Sequence, residues 1–325
     1  MNPTRLFATL TICGCQALGA SEGPYDPLAT GPAPKTHDLS LEGPHQRDLP
    51  LRVFLPSEIS GPVILFSHGL GGSREGSNYL GRHWSARGYV TIFLQHTGSD
   101  RSILRDKSGP EAVQTLRQAA NLQQYRNRID DILMVLELLE NAPGSIHPAF
   151  DGHVDATMIG VAGHSFGAKT TQAFGGEQGG GPRRPVTVKH DAVRAVLPMS
   201  PSPAKGREPN FSFGKASLPW LIMTGTEDGV PFGLTDTKPS DRLQVFPALP
   251  SGDKYELVFE GGEHHAFTEG SFFMGRPRQE HHHPAVLAIS TAFWDAYLRD
   301  SEDALVWLRR NDLPVLSAED DWRWK

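Results

Sequence analysis

The stretch Ile159-Gly160-Val161-Ala162-Gly163-His164-Ser165-Phe166-Gly167-Ala168-Lys169-Thr170-Thr171 constrains this chain more than any other. An apolar, partly β-branched run over 157–162 ends in Gly-His-Ser-Phe-Gly and passes at once into residues that suit a helix. The order is strand, sharp turn, helix. A serine at the apex of such a turn takes a strained backbone conformation, and only glycines at its flanks, here Gly163 and Gly167, let strand and helix approach closely. The turn lifts the hydroxyl clear of the sheet and aims the free N–H groups of the helix N-terminus at whatever reacts there. This is the pattern of a nucleophile elbow. The bland alternative is a glycine-rich turn with an idle serine, and partners elsewhere in the chain decide between them.

A chain of 325 residues with 38% hydrophobic residues can bury one large α/β core, and a single domain acting as a monomer is expected. The formal net charge of -6, with no long basic run, lacks the electrostatic footprint of a nucleic-acid binder. Residues 1–20 read differently. Arg5 supplies a positive start, residues 6–15 a short apolar core, and Ala17-Leu18-Gly19-Ala20 small residues suited to cleavage, which together resemble a secretory signal. Both cysteines, Cys13 and Cys15, lie inside it, so a mature domain would rest on its core rather than on disulfides. Ile12-Cys13-Gly14-Cys15 also resembles a degenerate bacterial lipobox, which would make Cys15 a lipid-anchored N-terminus. Three readings stand: a secreted or periplasmic protein, a membrane-anchored lipoprotein, and a cytosolic chain with a disordered leader. No later stretch approaches the length needed to span a bilayer. Residues 21–35, dominated by proline, glycine and alanine, suit an exposed linker, which leaves 36–325 as the folded domain.

Residues 36–41 and 49–55 read as an edge hairpin, and Pro62-Val63-Ile64-Leu65-Phe66 as a strand buried on both faces. It ends in Ser67-His68-Gly69-Leu70-Gly71-Gly72-Ser73-Arg74, where glycines let a backbone N–H face a reacting carbonyl. By position Leu70 would donate one oxyanion N–H and Phe166 the other, unless the segment is an ordinary glycine-rich turn. A helix over 79–87, a strand over 88–95 and helical apolar spacing over 109–122 and 125–140 follow. Residues 101–127 are longer and more polar than a crossover needs and read either as a small cap over the site or as surface helix. Beyond the elbow, 178–185 reads as a mobile surface loop, and strands are expected over 193–199, 218–224 and 254–259, with a closing helix over 285–298.

Ser165, Asp228 and His264 follow in that order, each just past the carboxyl end of an expected strand. Ligands bind outside those ends in a doubly wound sheet, so three remote residues are expected to converge. A serine hydroxyl is a poor nucleophile at neutral pH. His264 would take its proton and return it to the leaving group, while Asp228 would fix the imidazole tautomer. Glu227 rivals Asp228, and His265 rivals His264. Phe166, Phe232 and Phe267 are candidate walls of a substrate pocket or, equally, plain core. The run His281-His282-His283 invites a metal reading, but it precedes Pro284 and a helix with no carboxylate-histidine ligand spacing beside it. Surface or helix-start histidines are the better reading, and neither metal nor cofactor is expected.

The segments SHGLGGSR, GHSFGAKT, GTEDGVPF and FEGGEHHAF, with the closing helix around TAFWDAYL, resemble the bacterial dienelactone-hydrolase-like and platelet-activating-factor-acetylhydrolase-like group of α/β hydrolases, roughly over 49–309. The resemblance implies an α/β-hydrolase fold, a mostly parallel sheet with helices on both faces. It also implies a metal-independent serine carboxylesterase acting on a small-molecule or lipid ester, with Ser165, Asp228 and His264 as triad. The chain departs from true dienelactone hydrolases, which carry cysteine where Ser165 stands. It has no acid after the 193–199 strand, where the animal acetylhydrolases carry theirs, which places the acid at Asp228 as in cutinase-like enzymes. Those polyester-degrading relatives usually carry an aromatic clamp near the positions of 200–203; here there is none, so polyester hydrolysis ranks below small-ester hydrolysis. A catalytically inactive hydrolase-fold binding protein of the cell envelope is the alternative.

Overall fold

The computed structural model describes residues 24–58, 61–181, 183–269 and 278–325, apart from the side chain of Phe232. The signal-like segment 1–20, with Cys13 and Cys15, lies outside the described residues.

The strands are β1 (Lys35–Glu42), β2 (Asp48–Leu55), β3 (Gly61–Ser67), β4 (Val90–Leu94), β5 (Val154–His164), β6 (Gly179–Gly181), β7 (Arg184–Val186), β8 (Val193–Met199), β9 (Trp220–Glu227), β10 (Lys254–Glu263) and β11 (Asp321–Trp324), and apolar, often β-branched or aromatic, residues fill the central ones. Nine of them join in one sheet of order β1-β2-β4-β3-β5-β8-β9-β10-β11. The sheet is parallel from β4 through β10 and antiparallel only where β1, β2 and β11 finish its edges. This is an α/β architecture, a large mostly parallel sheet flanked by helices.

Parallel strands need both faces covered, and the sequence supplies alternate cores for them. Ile64 and Phe66 of β3 face one cluster, which takes in Leu80 and Trp84 of the helix Asn78–Ala86 and Val286, Ile289, Phe293 and Trp294 of the helix His282–Leu298. Val63 and Leu65 face the other, with Ile132, Val135, Leu136 and Leu139 of the helix Leu122–Asn141. The chain runs from β3 to β4 on one side and returns to lay β5 on the other. Such a reversal of strand order opens a crevice outside the carboxyl ends, here between the loops that follow β3 and β5.

Three local features differ from the sequence reading. The strand β11 closes the far edge, pairing Tyr255 with Trp324 and Leu257 with Trp322. Its Asp-Trp-Arg-Trp run is too short and too polar to read as a strand until Trp322 stacks on Tyr255, at 5.8 Å between ring centres. Residues 178–185, expected as a loop, hold the small antiparallel pair β6-β7, pinned where Gln178 N donates to Ser212 O. Glycines conceal that pair because they carry no side-chain alternation. Residues 24–34 have no regular structure, as a linker should, yet they are docked: the Tyr25 hydroxyl donates to Asp295 Oδ2 (2.8 Å) and Arg87 donates to the carbonyls of Asp26 and Ala29. Among the described residues no helix is long and apolar enough to cross a membrane.

Candidate active site

β5 runs straight to His164, and the helix Phe166–Phe174 begins one residue after Ser165. Ser165 itself sits at φ 58° and ψ −114°, a region that non-glycine residues occupy only when their surroundings force it. The forcing contacts are backbone. A Cβ on Gly167 would lie 1.9 Å from the Ser67 carbonyl oxygen, and one on Gly163 would lie 2.5 Å from the Gly167 carbonyl oxygen. Ser165 N donates to Met199 O (3.0 Å), so β3, β5 and β8 jointly hold the turn.

The three residues expected to converge do so. Ser165 Oγ lies 2.8 Å from His264 Nε2, and His264 Nδ1 lies 2.6 Å from Asp228 Oδ1. With Nδ1–H donating to the carboxylate, Nε2 keeps its lone pair for the serine hydroxyl. The Thr224 hydroxyl donates to Asp228 Oδ2 (2.8 Å), and His164 Nε2–H donates to the His264 carbonyl (2.9 Å), which fixes the backbone of the turn that carries His264. Asp228 is fully buried, whereas Glu227 is exposed and lines the cavity. His265 also faces the cavity, with its Nδ1 3.5 Å from Glu263 Oε2.

Arg242, which the sequence reading missed, packs against the acid and the imidazole with 2% of its surface exposed. Its Nε lies 3.0 Å from Asp228 Oδ1 and donates to the Asp228 carbonyl (2.6 Å), and its Nη1 donates to the carbonyls of Ser200 and Pro201. Burial opposes charge on Asp228, but the Arg242 guanidinium and the His264 ring outweigh it and hold the carboxyl well below the usual carboxylate range. Burial lowers the pKa of His264, and Asp228 opposes that shift, so the ring is a free base at neutral pH.

The Leu70 loop and the helix N-terminus meet at the serine. A Cβ on Gly69 would lie 3.3 Å from Ser165 Cβ, and Leu70 lines the cavity beside Ser165. Phe166 opens its helix, so its N–H has no acceptor within it. Behind both stands Arg128, fully buried, which donates to the His68 carbonyl and to Ser99 Oγ (2.9 Å) and holds its guanidinium 4.4 Å from the centre of the Phe166 ring. The same loop is braced by Ser67 Oγ to His96 Nε2 (2.9 Å) and His96 Nδ1 to Asp131 Oδ2 (2.9 Å). This repeats the connectivity of Ser165, His264 and Asp228, but Ser67 has no exposed surface and no substrate can reach it.

A cavity of about 630 Å³ opens onto Ser165 and His264. Leu104 and Leu116, from the 101–127 stretch, join Leu70 in its apolar wall, and Leu116 packs so closely over Gly71 that a Cβ there would fall 2.6 Å from Leu116 Cδ2. Of the two readings of Phe267, pocket wall and plain core, the structure supports the core one and corrects the wall. Phe267 is fully buried and lies 6.0 Å, centre to centre, from both Phe259 and His164, because the turn His264–Phe267 directs it under the sheet end. Phe232 has its side chain outside the described residues. His281, His282 and His283 diverge: the first pairs with Asp320 (2.8 Å), the second stacks on Phe259 and the third on Tyr79. Among the described residues no group of three or more His, Cys, Asp or Glu is arranged to hold a metal ion.

No family model matches the chain, and no curated protein matches it. What the site does is therefore read from its own atoms. Ser165 and His264 were legible as a glycine-framed serine and a histidine after the last long strand; Arg242, Arg128 and Thr224 left no mark in the linear pattern, because nothing in a lone arginine or threonine says what it will touch.

Proposed function

We propose that this protein is a serine hydrolase of the α/β-hydrolase fold that cleaves carboxylic esters through an acyl-enzyme. The observation that carries the reading is the continuous hydrogen-bonded chain from Ser165 Oγ through His264 to the buried Asp228, opening on a cavity. In the acylation step Ser165 Oγ attacks the ester carbonyl carbon while His264 Nε2 takes its proton. The carbonyl π electrons move to oxygen, and the N–H groups of Leu70 and Phe166 would hold the resulting oxyanion. Collapse expels the alcohol, which leaves with the proton from His264. Water then attacks the acyl-serine, with His264 again as base, and releases the acid.

A volume of about 630 Å³ falls in the range of small-molecule sites, and the Leu70, Leu104 and Leu116 wall favours an ester with an apolar portion of modest size. Secretion or an envelope location belongs to the same proposal and rests on residues 1–20 alone.

A fluorophosphonate probe is expected to label Ser165 covalently, and Ser165→Ala should abolish both labelling and p-nitrophenyl acetate turnover. Labelling at no serine, in folded protein, overturns the proposal in favour of a binding protein without catalysis.

A further inference from the structure

Acyl transfer by serine, histidine and aspartate does not require an arginine, yet Arg242 is enclosed beside two of the three. It ends the short helix Pro239–Arg242, in the connection between β9 and β10. Its five N–H bonds are spread over one small volume: Nε on Asp228, Nη1 on the Ser200 and Pro201 carbonyls, and Nη2 3.2 Å from His264 Nδ1. Because His264 Nδ1 already spends its own proton on Asp228 Oδ1, that last approach is a cation against a ring edge rather than a hydrogen bond. Asp228 Oδ1 thus faces the imidazole N–H on one side and the guanidinium on the other.

We propose that Arg242 is a positioning residue that sets the charge state of the Asp228–His264 pair, keeping the carboxylate ionised and the imidazole an unprotonated base into the mildly acidic range. The kinetic consequence rests on the esterase reading; the charge effect does not. A guanidinium is permanently charged, so with His264 neutral the trio of Asp228, Arg242 and His264 carries no net charge. When the ring is protonated the trio carries one positive charge in a place with little water, where such a charge is costly. Asp228 favours the imidazolium and Arg242 disfavours it. The other titratable groups near the ring are His164, whose ring centre is 4.7 Å away, and, on its own turn, His265 with Glu263; Glu227 lines the shared cavity. Burial holds His164 neutral well below its ordinary range, so it supplies no competing charge. Among the described residues Arg242 is the arginine or lysine in contact with the ring.

The test reads the ring directly. Full-length protein labelled at histidine is titrated by NMR as wild type, Arg242→Met and Arg242→Lys, with the His264 signal assigned by His264→Gln, and kcat/KM is followed over the same pH range. In Arg242→Met the midpoint of His264 should rise by about one pH unit or more, since a neighbouring charge moves a pKa by that order. The acid limb of kcat/KM should move with it. Arg242→Lys keeps the charge and loses the fork, so its midpoint should stay near wild type while kcat falls. A midpoint in Arg242→Met equal to wild type, or one in Arg242→Lys displaced as far as in Arg242→Met, overturns the proposal. Should Arg242→Met not fold, Arg242→Gln, which removes the charge and keeps two donors, is held to the same outcomes. A shifted midpoint in a protein that turns over no ester would leave the role of Arg242 standing and remove the esterase.

Discussion

Asp228 and Glu227 are neighbours in the chain and opposites in environment. The first is sealed under Thr224 and Arg242 against His264, and the second lies exposed at the cavity. Asp228→Asn should therefore lower kcat by about four orders of magnitude, by admitting the wrong imidazole tautomer, while Glu227→Gln changes it by a small factor. Ester turnover by the purified variants checks this, and the reverse pattern would reassign the acid. Gly167 tolerates no side chain at all. A methyl group there would overlap the Ser67 carbonyl, and Ser67 is fixed in β3, so Gly167→Ala should cost at least about 3 kcal/mol or prevent folding. A melting curve beside wild type is the measure. These residues could be picked from the sequence because their chemistry is local: glycines where backbones touch, a serine between them, an acid and a histidine after strands. Arg242 could not, since its meaning arises only when the connection between β9 and β10 folds back over the strand ends.

The strands that carry the site were legible for an elementwise reason. β3, β4, the second half of β5, most of β8 and the first six residues of β9 and of β10 are buried on both faces, and that burial demands largely apolar runs. Elements held by something other than apolar alternation were not. β11 depends on Trp322 stacking on Tyr255, and on Trp324 pairing with it, only after the sheet is built, and the loop after β3 takes its shape from buried polar groups. That loop supplies the prediction at this scale. Arg128 grips the His68 carbonyl on one side and faces the Phe166 ring on the other, so both groups expected to meet an oxyanion lean on it. Removing one member of a buried charged network costs about 3 to 5 kcal/mol, so Arg128→Met should unfold at markedly lower urea concentration. Its kcat should fall more than its KM rises. An Arg128→Met protein with wild-type kcat would show that the loop holds its shape without the arginine.

Over the whole molecule, the balance of buried titratable groups sets how the fold responds to acid. His68 and His164 are held well below the ordinary histidine value, and His96, His282 and His283 are lowered to about 4, in each case first by burial. The unfolded chain takes up protons on these rings as pH falls through about 6.5, and the folded chain does not, so stability is full above that value and declines toward pH 4. Glu256, raised to about 7 by burial against the pull of Arg323, keeps its proton in the folded state between 4.5 and 7 and offsets a part of the loss. The melting temperature should drop by on the order of 5 to 10 °C from pH 7 to pH 5, and His282→Leu should flatten that slope. A profile that is level or rises toward acid would contradict the assignment of neutral buried rings. Tyr25 docks on the body through Asp295 and Arg87. Asp295 and Arg87, its partners, lie beside the start of β4, at the amino ends of the parallel strands, roughly 20 Å by strand length from the ends that bear Ser165 and His264. Anything fastened to the chain ahead of Pro24 would hold the body by its far pole. The mouth of the cavity would then open on the side opposite that attachment.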